Sequence, residues 1–96
     1  MTTTFEWDED KSKLNVRKHG LTFEEAKTVF NDPSAITIGD PDHSDDEARY
    51  VDIGLSSKGR LLVVWYTDRN ENIRLIGCRK ATRSERKAYE ERKTGF

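Results

Sequence analysis

A lysine and a histidine stand side by side at Lys18-His19, directly before Gly20, and Arg69, Arg74 and Arg79 punctuate an apolar stretch far downstream. Those residue types suit one kind of chemistry. Metal-free cleavage of RNA by its own 2′-hydroxyl needs a base for that hydroxyl and an acid for the leaving oxygen. It also needs cations for the charge that develops on the phosphate. An imidazole ordinarily titrates near neutrality and can act as acid or base, which makes His19 the candidate. Lys18, Arg69 and Arg79 are candidates for the phosphate, the arginines through their two-pronged fork. Each has an ordinary alternative. A histidine at a helix end is commonly a partner of the helix dipole, a lone lysine is a solvated charge, and an arginine beside a turn is surface. Arg79 ends an apolar strand and must be paired or face solvent.

Other chemistries find little support. His19 and His43 are far apart in sequence and the lone Cys78 falls in a strand, so no metal-ligand cluster is expected, and no cofactor. There is no P-loop, no GxGxxG and no nucleophile elbow.

The scaffold for these groups centres on residues 60–81, RLLVVWYTDRNENIRLIGCRKA. Leu61–Tyr66 and Ile73–Cys78 are β-branched and aromatic and suit buried strands. The polar turn formers between them predict a hairpin, with a loop at Asn70-Glu71 or at 69–72. Either loop pairs Tyr66 with Leu75, Trp65 with Ile76 and Val63 with Cys78. One face then carries Leu62, Val64, Tyr66, Ile73 and Leu75 and reads as core. The other, with Val63, Trp65, Thr67, Arg74 and Cys78, is mixed. Thr67, Arg69, Arg74, Arg79 and Lys80 collect at the ends of a rigid platform, as binding groups commonly do. Trp7 and Trp65 are more often core than stacking surfaces, and Cys78 reads as an inert small apolar residue.

Upstream, Thr4–Trp7 alternates like a short edge strand. Asp8 reads as an N-cap, with Glu9 and Asp10 in the first turn and Gly20 as the stop. This helix is mostly polar and carries Lys18-His19 at its end. Thr22-Phe23-Glu24-Glu25 is a capping box. Leu21 and Ala26 make a hydrophobic staple, and Phe23, Ala26, Val29 and Phe30 form an apolar stripe. Short strands follow near Ala35–Ile38 and Arg49–Ser56, on either side of the acidic loop GDPDHSDDE. Thr82-Arg83-Ser84-Glu85 is a second capping box, opening a lightly packed helix to about Lys93 on which Glu85 and Tyr89 share a face. Tyr89 reads first as a packing anchor. The expected order is β-α-α-β-β-β-β-α in a single domain, 1–96.

Ninety-six residues with a net charge of −1 conceal an asymmetry. Residues 1–48 hold 12 acidic and 5 basic residues, net −7, whereas 49–96 hold 6 acidic and 12 basic, net +6. A basic half suggests a polyanion such as nucleic acid, or an acidic protein, and it equally fits an ordinary solvated surface. One cysteine fits a reducing compartment. No apolar run reaches membrane-spanning length, and the opening MTTTFEWDED lacks the pattern of a signal peptide. A cytoplasmic protein that meets no membrane is expected.

The sequence resembles the BrnT family, toxins of type II toxin–antitoxin modules. Phe5, Trp7 and Asp8 match its F-x-W-D. Lys11, Asn15, Lys18, His19 and Gly20 match K-x-x-x-N-x-x-K-H-G, and Phe23, Glu25 and Ala26 match F-x-E-A. DPDHSDDEARY, GRLLVVWYTDR and RKATRSERKAYEE also look like the family's, so the likeness spans nearly the whole chain. Gly77-Cys78 departs from the Ser-Ala that the family usually carries before Arg-Lys-Ala. The resemblance implies an α+β, RelE-like fold, an antiparallel sheet with two N-terminal helices and one C-terminal helix. It implies a ribonuclease that stops translation without a metal. Neutralisation would come from a BrnA-like ribbon-helix-helix antitoxin, which alone binds operator DNA and joins the toxin in a heterotetramer. Carried over by position, the site would comprise Lys18, His19, Arg49, Thr67, Arg69 and Arg79, with Glu85 and Tyr89 as further candidates; Arg74 and Lys80, at the ends of the platform, are read from the residues themselves as RNA contacts. The rival expectation is a non-catalytic module that binds RNA or protein.

Overall fold

The computed structural model describes residues 3–40, 48–69 and 71–94. Most of the acidic loop, with His43 and Glu47, and Asn70 at the hairpin tip lie outside the described residues. The elements are β1 (Thr4–Glu6), α1 (Glu9–His19), α2 (Phe23–Ala26) continued by a 3₁₀ turn (Lys27–Asn31), β2 (Ile36–Gly39), β3 (Arg49–Leu55), β4 (Leu61–Arg69), β5 (Asn72–Lys80) and α3 (Arg83–Thr94). The strands lie in the order β1-β5-β4-β3-β2.

β2 to β5 form the expected antiparallel meander. β1 does not conform: it lies parallel to β5, Thr4 beside Asn72 and Glu6 beside Arg74. The sheet is therefore mixed, not wholly antiparallel as the resemblance implied. No tight turn links β1 to its neighbour, so nothing local fixes its direction.

The hairpin holds a second correction. Arg69 pairs with Asn72 and Tyr66 with Leu75, but the register shifts between Trp65 and Tyr66. Trp65 then faces Gly77, Val64 faces Cys78 and Val63 faces Arg79, in place of the expected Trp65–Ile76 and Val63–Cys78 pairs. Ile76 is the extra residue of a β-bulge, which a period-two pattern cannot reveal. The bulge turns Cys78 into the core and Arg79 onto the face of Trp65.

On one side, Leu62, Val64, Tyr66, Leu75 and Cys78 pack under Leu21, Phe23, Ala26 and Val29 of the helical layer. Phe30 joins strands to helices, its ring centroid 5.2 Å from that of Phe5 and 4.8 Å from that of Tyr66. On the other side Ile53, Leu61, Val63 and Tyr89 form a smaller cluster under α3, flanked by Val51, Leu55 and Trp65. At Gly54 the 3₁₀ turn comes so close that a Cβ would meet Val29 and Ala35 at 2.9 Å.

The caps explain the helix boundaries. Asp8 Oδ1 accepts from the amides of Asp10 and Lys11 at 2.8 and 3.1 Å. Gly20 closes α1 with φ 69°, the left-handed conformation glycine adopts without strain. Thr22 accepts from the Glu25 amide at 3.1 Å, yet Glu25 does not reach back. Its buried carboxylate takes the Ser56 hydroxyl at 2.7 Å and the Arg60 guanidinium instead. The Arg60 hydrogen bond holds its pKa below the ordinary value against the opposing effect of burial. The first capping box is thus half formed. The second is complete, with Glu85 N donating to Thr82 Oγ1 at 3.3 Å and Thr82 N to Glu85 Oε1 at 2.8 Å.

Candidate active site

α1 owes its position to one buried side chain. Asn15 donates to the carbonyl of Leu21 at 3.0 Å and to Cys78 Sγ at 3.2 Å, and accepts from the Cys78 amide at 3.0 Å. It satisfies a main-chain donor of β5 and the return of the chain after Gly20. His19 is i+4 from Asn15, one helical turn, about 5.4 Å, past the anchor at the C-terminus of α1. Lys18 and His19 are exposed, and among the described residues neither makes a side-chain hydrogen bond or ion pair.

The sheet face shared with α3 gathers the arginines. Arg49, Thr67, Arg74 and Glu6 lie opposite one another across β3, β4, β5 and β1, in adjacent strands about 4.8 Å apart. Arg74 Nη1 donates to Glu6 Oε2 at 2.7 Å, and Arg69 Nη1 is 3.8 Å from Glu6 Oε1. Arg49 Nε stands 3.7 Å from Asp40 Oδ2. Thr67, opposite Arg49 on one side and Arg74 on the other, is 8% exposed, and its Oγ1 has no hydrogen-bond partner among the described residues. Glu6 is a member of this cluster that the sequence alone did not single out. Its place in an alternating strand was visible, but its arginine partners depend on the parallel pairing of β1.

Arg79 occupies the next part of this face. Its Nη1 and Nη2 donate to Glu85 Oε1 and Oε2 at 2.7 and 2.8 Å. Its guanidinium carbon lies 5.1 Å from the centre of the Trp65 ring. Those hydrogen bonds are the main reason the Glu85 carboxyl is held down to about 2 from 4.5. A carboxyl lowered in the fold stabilises it above its unfolded pKa and loses that contribution as pH falls through the folded value. Glu85→Gln should therefore lower the melting temperature at neutral pH, and the gap to wild type should shrink as pH is taken from 4.5 towards 2. Parallel thermal melts of the two proteins check this.

The remaining candidates lie apart. Lys80 alternates to the other side of the sheet, opposite Leu62, and is exposed. Tyr89 is buried and donates its hydroxyl to Asp32 Oδ2 at 2.7 Å. Burial, then that hydrogen bond, pushes its phenol up to about 12, as suits the packing anchor read from the sequence. Burial likewise pushes the Cys78 thiol up to about 11, leaving it unreactive. The structure thus brings Arg69 and Arg74 to Glu6, sets Thr67 and Arg49 in the same row with Arg49 beside Asp40, and joins Arg79 to Glu85 beside Trp65. Among the described residues no hydrogen bond or ion pair joins His19 or Lys18 to either group. A cavity of about 350 Å³ lies between Leu61 and Tyr89, and one of about 270 Å³ beside Asp32 and Ser56; neither is lined by these arginines or by His19. Among the described residues no three or more His, Cys, Asp or Glu gather as metal ligands, and no helix is long and apolar enough to cross a membrane.

Comparison with known proteins adds three findings. The profile of the family described as the ribonuclease toxin BrnT of type II toxin–antitoxin systems matches residues 7–85. A crystal structure of the Brucella abortus ribonuclease toxin BrnT is similar to this chain with a TM-score of 0.65. The two are 24% identical over 85% of this chain and 100% of that one, a likeness of fold. No curated protein matches.

Proposed function

This chain belongs to the BrnT family of ribonuclease toxins of type II toxin–antitoxin systems, and we propose that it cleaves RNA by metal-independent acid–base catalysis, with His19 at the end of α1 and the arginines of the sheet face engaging the same RNA. His19 moves the protons. It takes the proton of the 2′-hydroxyl as that oxygen attacks phosphorus, and returns one to the 5′-oxygen as the P–O bond breaks. The products are a 2′,3′-cyclic phosphate and a 5′-hydroxyl. Lys18 beside it and Arg69, Arg74 and Arg49 on the sheet face supply positive charge for the phosphorane-like transition state. Translation stops because its RNA templates are cut. The partner is a BrnA-like antitoxin of ribbon-helix-helix type that carries the operator contacts, in a heterotetramer in the cytoplasm, and the architecture is read as RelE-like.

The observation that carries this reading is the row Arg49–Thr67–Arg74, two arginines flanking a buried threonine whose hydroxyl has no partner among the described residues. The test is incubation of antitoxin-free protein with naked RNA in chelator, with the new ends analysed. Cyclic phosphate and 5′-hydroxyl ends support the mechanism. Intact RNA, or cleavage only with added metal, rejects it.

A second reading, a binding module without catalysis, is favoured by Gly77-Cys78 where the family carries Ser-Ala. The backbone does not demand this glycine. A Cβ at Gly77 would meet only Asn15 Oδ1, at 3.8 Å, and its φ is not positive. Gly77→Ser should melt at or above the wild-type temperature, since glycine in a strand costs about 0.5–1 kcal/mol. A clear drop would show that the departure is structurally required. Full RNA cleavage by wild type beside Gly77→Ser would dispose of the module.

A further inference from the structure

Resting on the RNA reading above, we propose that Arg79 is a platform on which a nucleobase stacks, and not a fork that grips a phosphate. Its guanidinium is boxed in within its own plane. Nη1 donates to Glu85 Oε1 at 2.7 Å and to the carbonyl of Lys80 at 3.1 Å, and Nη2 donates to Glu85 Oε2 at 2.8 Å. An end-on bidentate phosphate would need the same pair of N–H groups that Glu85 holds, which leaves only the Nε edge for an anion. Glu85 is itself tied down, because its Oε1 also accepts from the Thr82 amide at 2.8 Å in the capping box of α3. The guanidinium carbon lies over the Trp65 ring, 5.1 Å from its centre. The side chain nevertheless keeps 31% exposure.

A planar cation clamped at its edge and backed by an indole matches the surface on which an unpaired base stacks. RNA-binding proteins use arginine planes as well as aromatic rings for this, and the contact tolerates any base. The bulge at Ile76 makes the arrangement possible, since it places Arg79 on the face of Trp65. Trp65 and Thr67 are two residues apart on one side of β4, about 7 Å along the strand. A phosphate at the Thr67 row and a base on Arg79 are therefore within reach of the same nucleotide. Glu85 acts here as a positioning residue, holding the plane that the base meets.

The test compares two short, uncleavable 2′-O-methylated oligonucleotides, one bearing bases and one abasic, of equal length and phosphate count. Binding to the full chain is measured for each, and the readout is the ratio of the two affinities. Wild type should prefer the base-bearing strand by roughly tenfold, the order expected for one stacked base. Arg79→Lys keeps the charge and loses the plane. Glu85→Gln keeps a capping side chain and frees the fork. Each should bring the ratio close to one while abasic binding survives. A ratio unchanged in both variants, with Arg79→Lys weakening both strands alike, would make Arg79 a phosphate fork and overturn the platform. A wild type that binds both strands without preference also overturns the platform but leaves the RNA reading standing. Binding of neither strand by wild type defeats the RNA reading, and the platform with it.

Discussion

His19→Ala is expected to slow RNA cleavage by about 10²–10⁴-fold, the usual loss when a positioned acid–base group is removed. The fold should hardly notice. His19 is exposed and has no side-chain partner among the described residues, so the cost is confined to its interaction with the C-terminal dipole of α1, about 0.3–1 kcal/mol. The same substitution should relieve growth arrest when the chain is expressed without an antitoxin. Cleavage at the wild-type rate by a folded His19→Ala protein would reduce the imidazole to a dipole partner and move the chemistry elsewhere.

Asn15→Ala is expected to lower the melting temperature by about 10–25 °C. The side chain serves the Leu21 carbonyl and the Cys78 amide and sulfur, in a site only 8% exposed. Truncation leaves two buried main-chain groups unpaired, at about 1–3 kcal/mol each. In a domain of this size each kcal/mol is worth roughly 4–8 °C. The functional effect should exceed the stability loss, because Asn15 fastens to β5 the helix that carries Lys18 and His19. Activity should fall even where the variant remains folded. Differential scanning calorimetry beside single-turnover cleavage separates the two effects, and a melting point within about 3 °C of wild type would show that water takes over these hydrogen bonds.

What the sequence disclosed follows its physics. The Asp8 cap, the Gly20 stop, the Thr82–Glu85 box and the apolar stripe of Phe23, Ala26 and Val29 are local signals, and the structure obeys them. The extra residue at Ile76 and the parallel pairing of β1 are not local. They are settled by long-range packing that no period in the sequence encodes. The diversion of Glu25 from its cap to Arg60 has the same origin, since a buried carboxylate takes the strongest donor within reach. The site divides in the same way. Its residue types suggested phosphate chemistry, which remains a proposal, and Arg49, Thr67, Arg69 and Arg74 share one sheet face. Their carboxylate partners could not be read without the fold. Glu6 accepts from Arg74, and Glu85 accepts from Arg79. Free toxin therefore presents a face already balanced by its own acids, which explains how a chain of net charge −1 can carry it.

The central claim is that the end of α1 and the arginine face contact the same RNA. Its most direct measurement is a backbone NMR titration of the full chain with a short uncleavable RNA analogue. Simultaneous shifts at Lys18-His19 and at Thr67, Arg74 and Arg79, with a common dissociation constant, are the predicted result. Shifts confined to the sheet face, with the end of α1 unmoved at saturation, would contradict it.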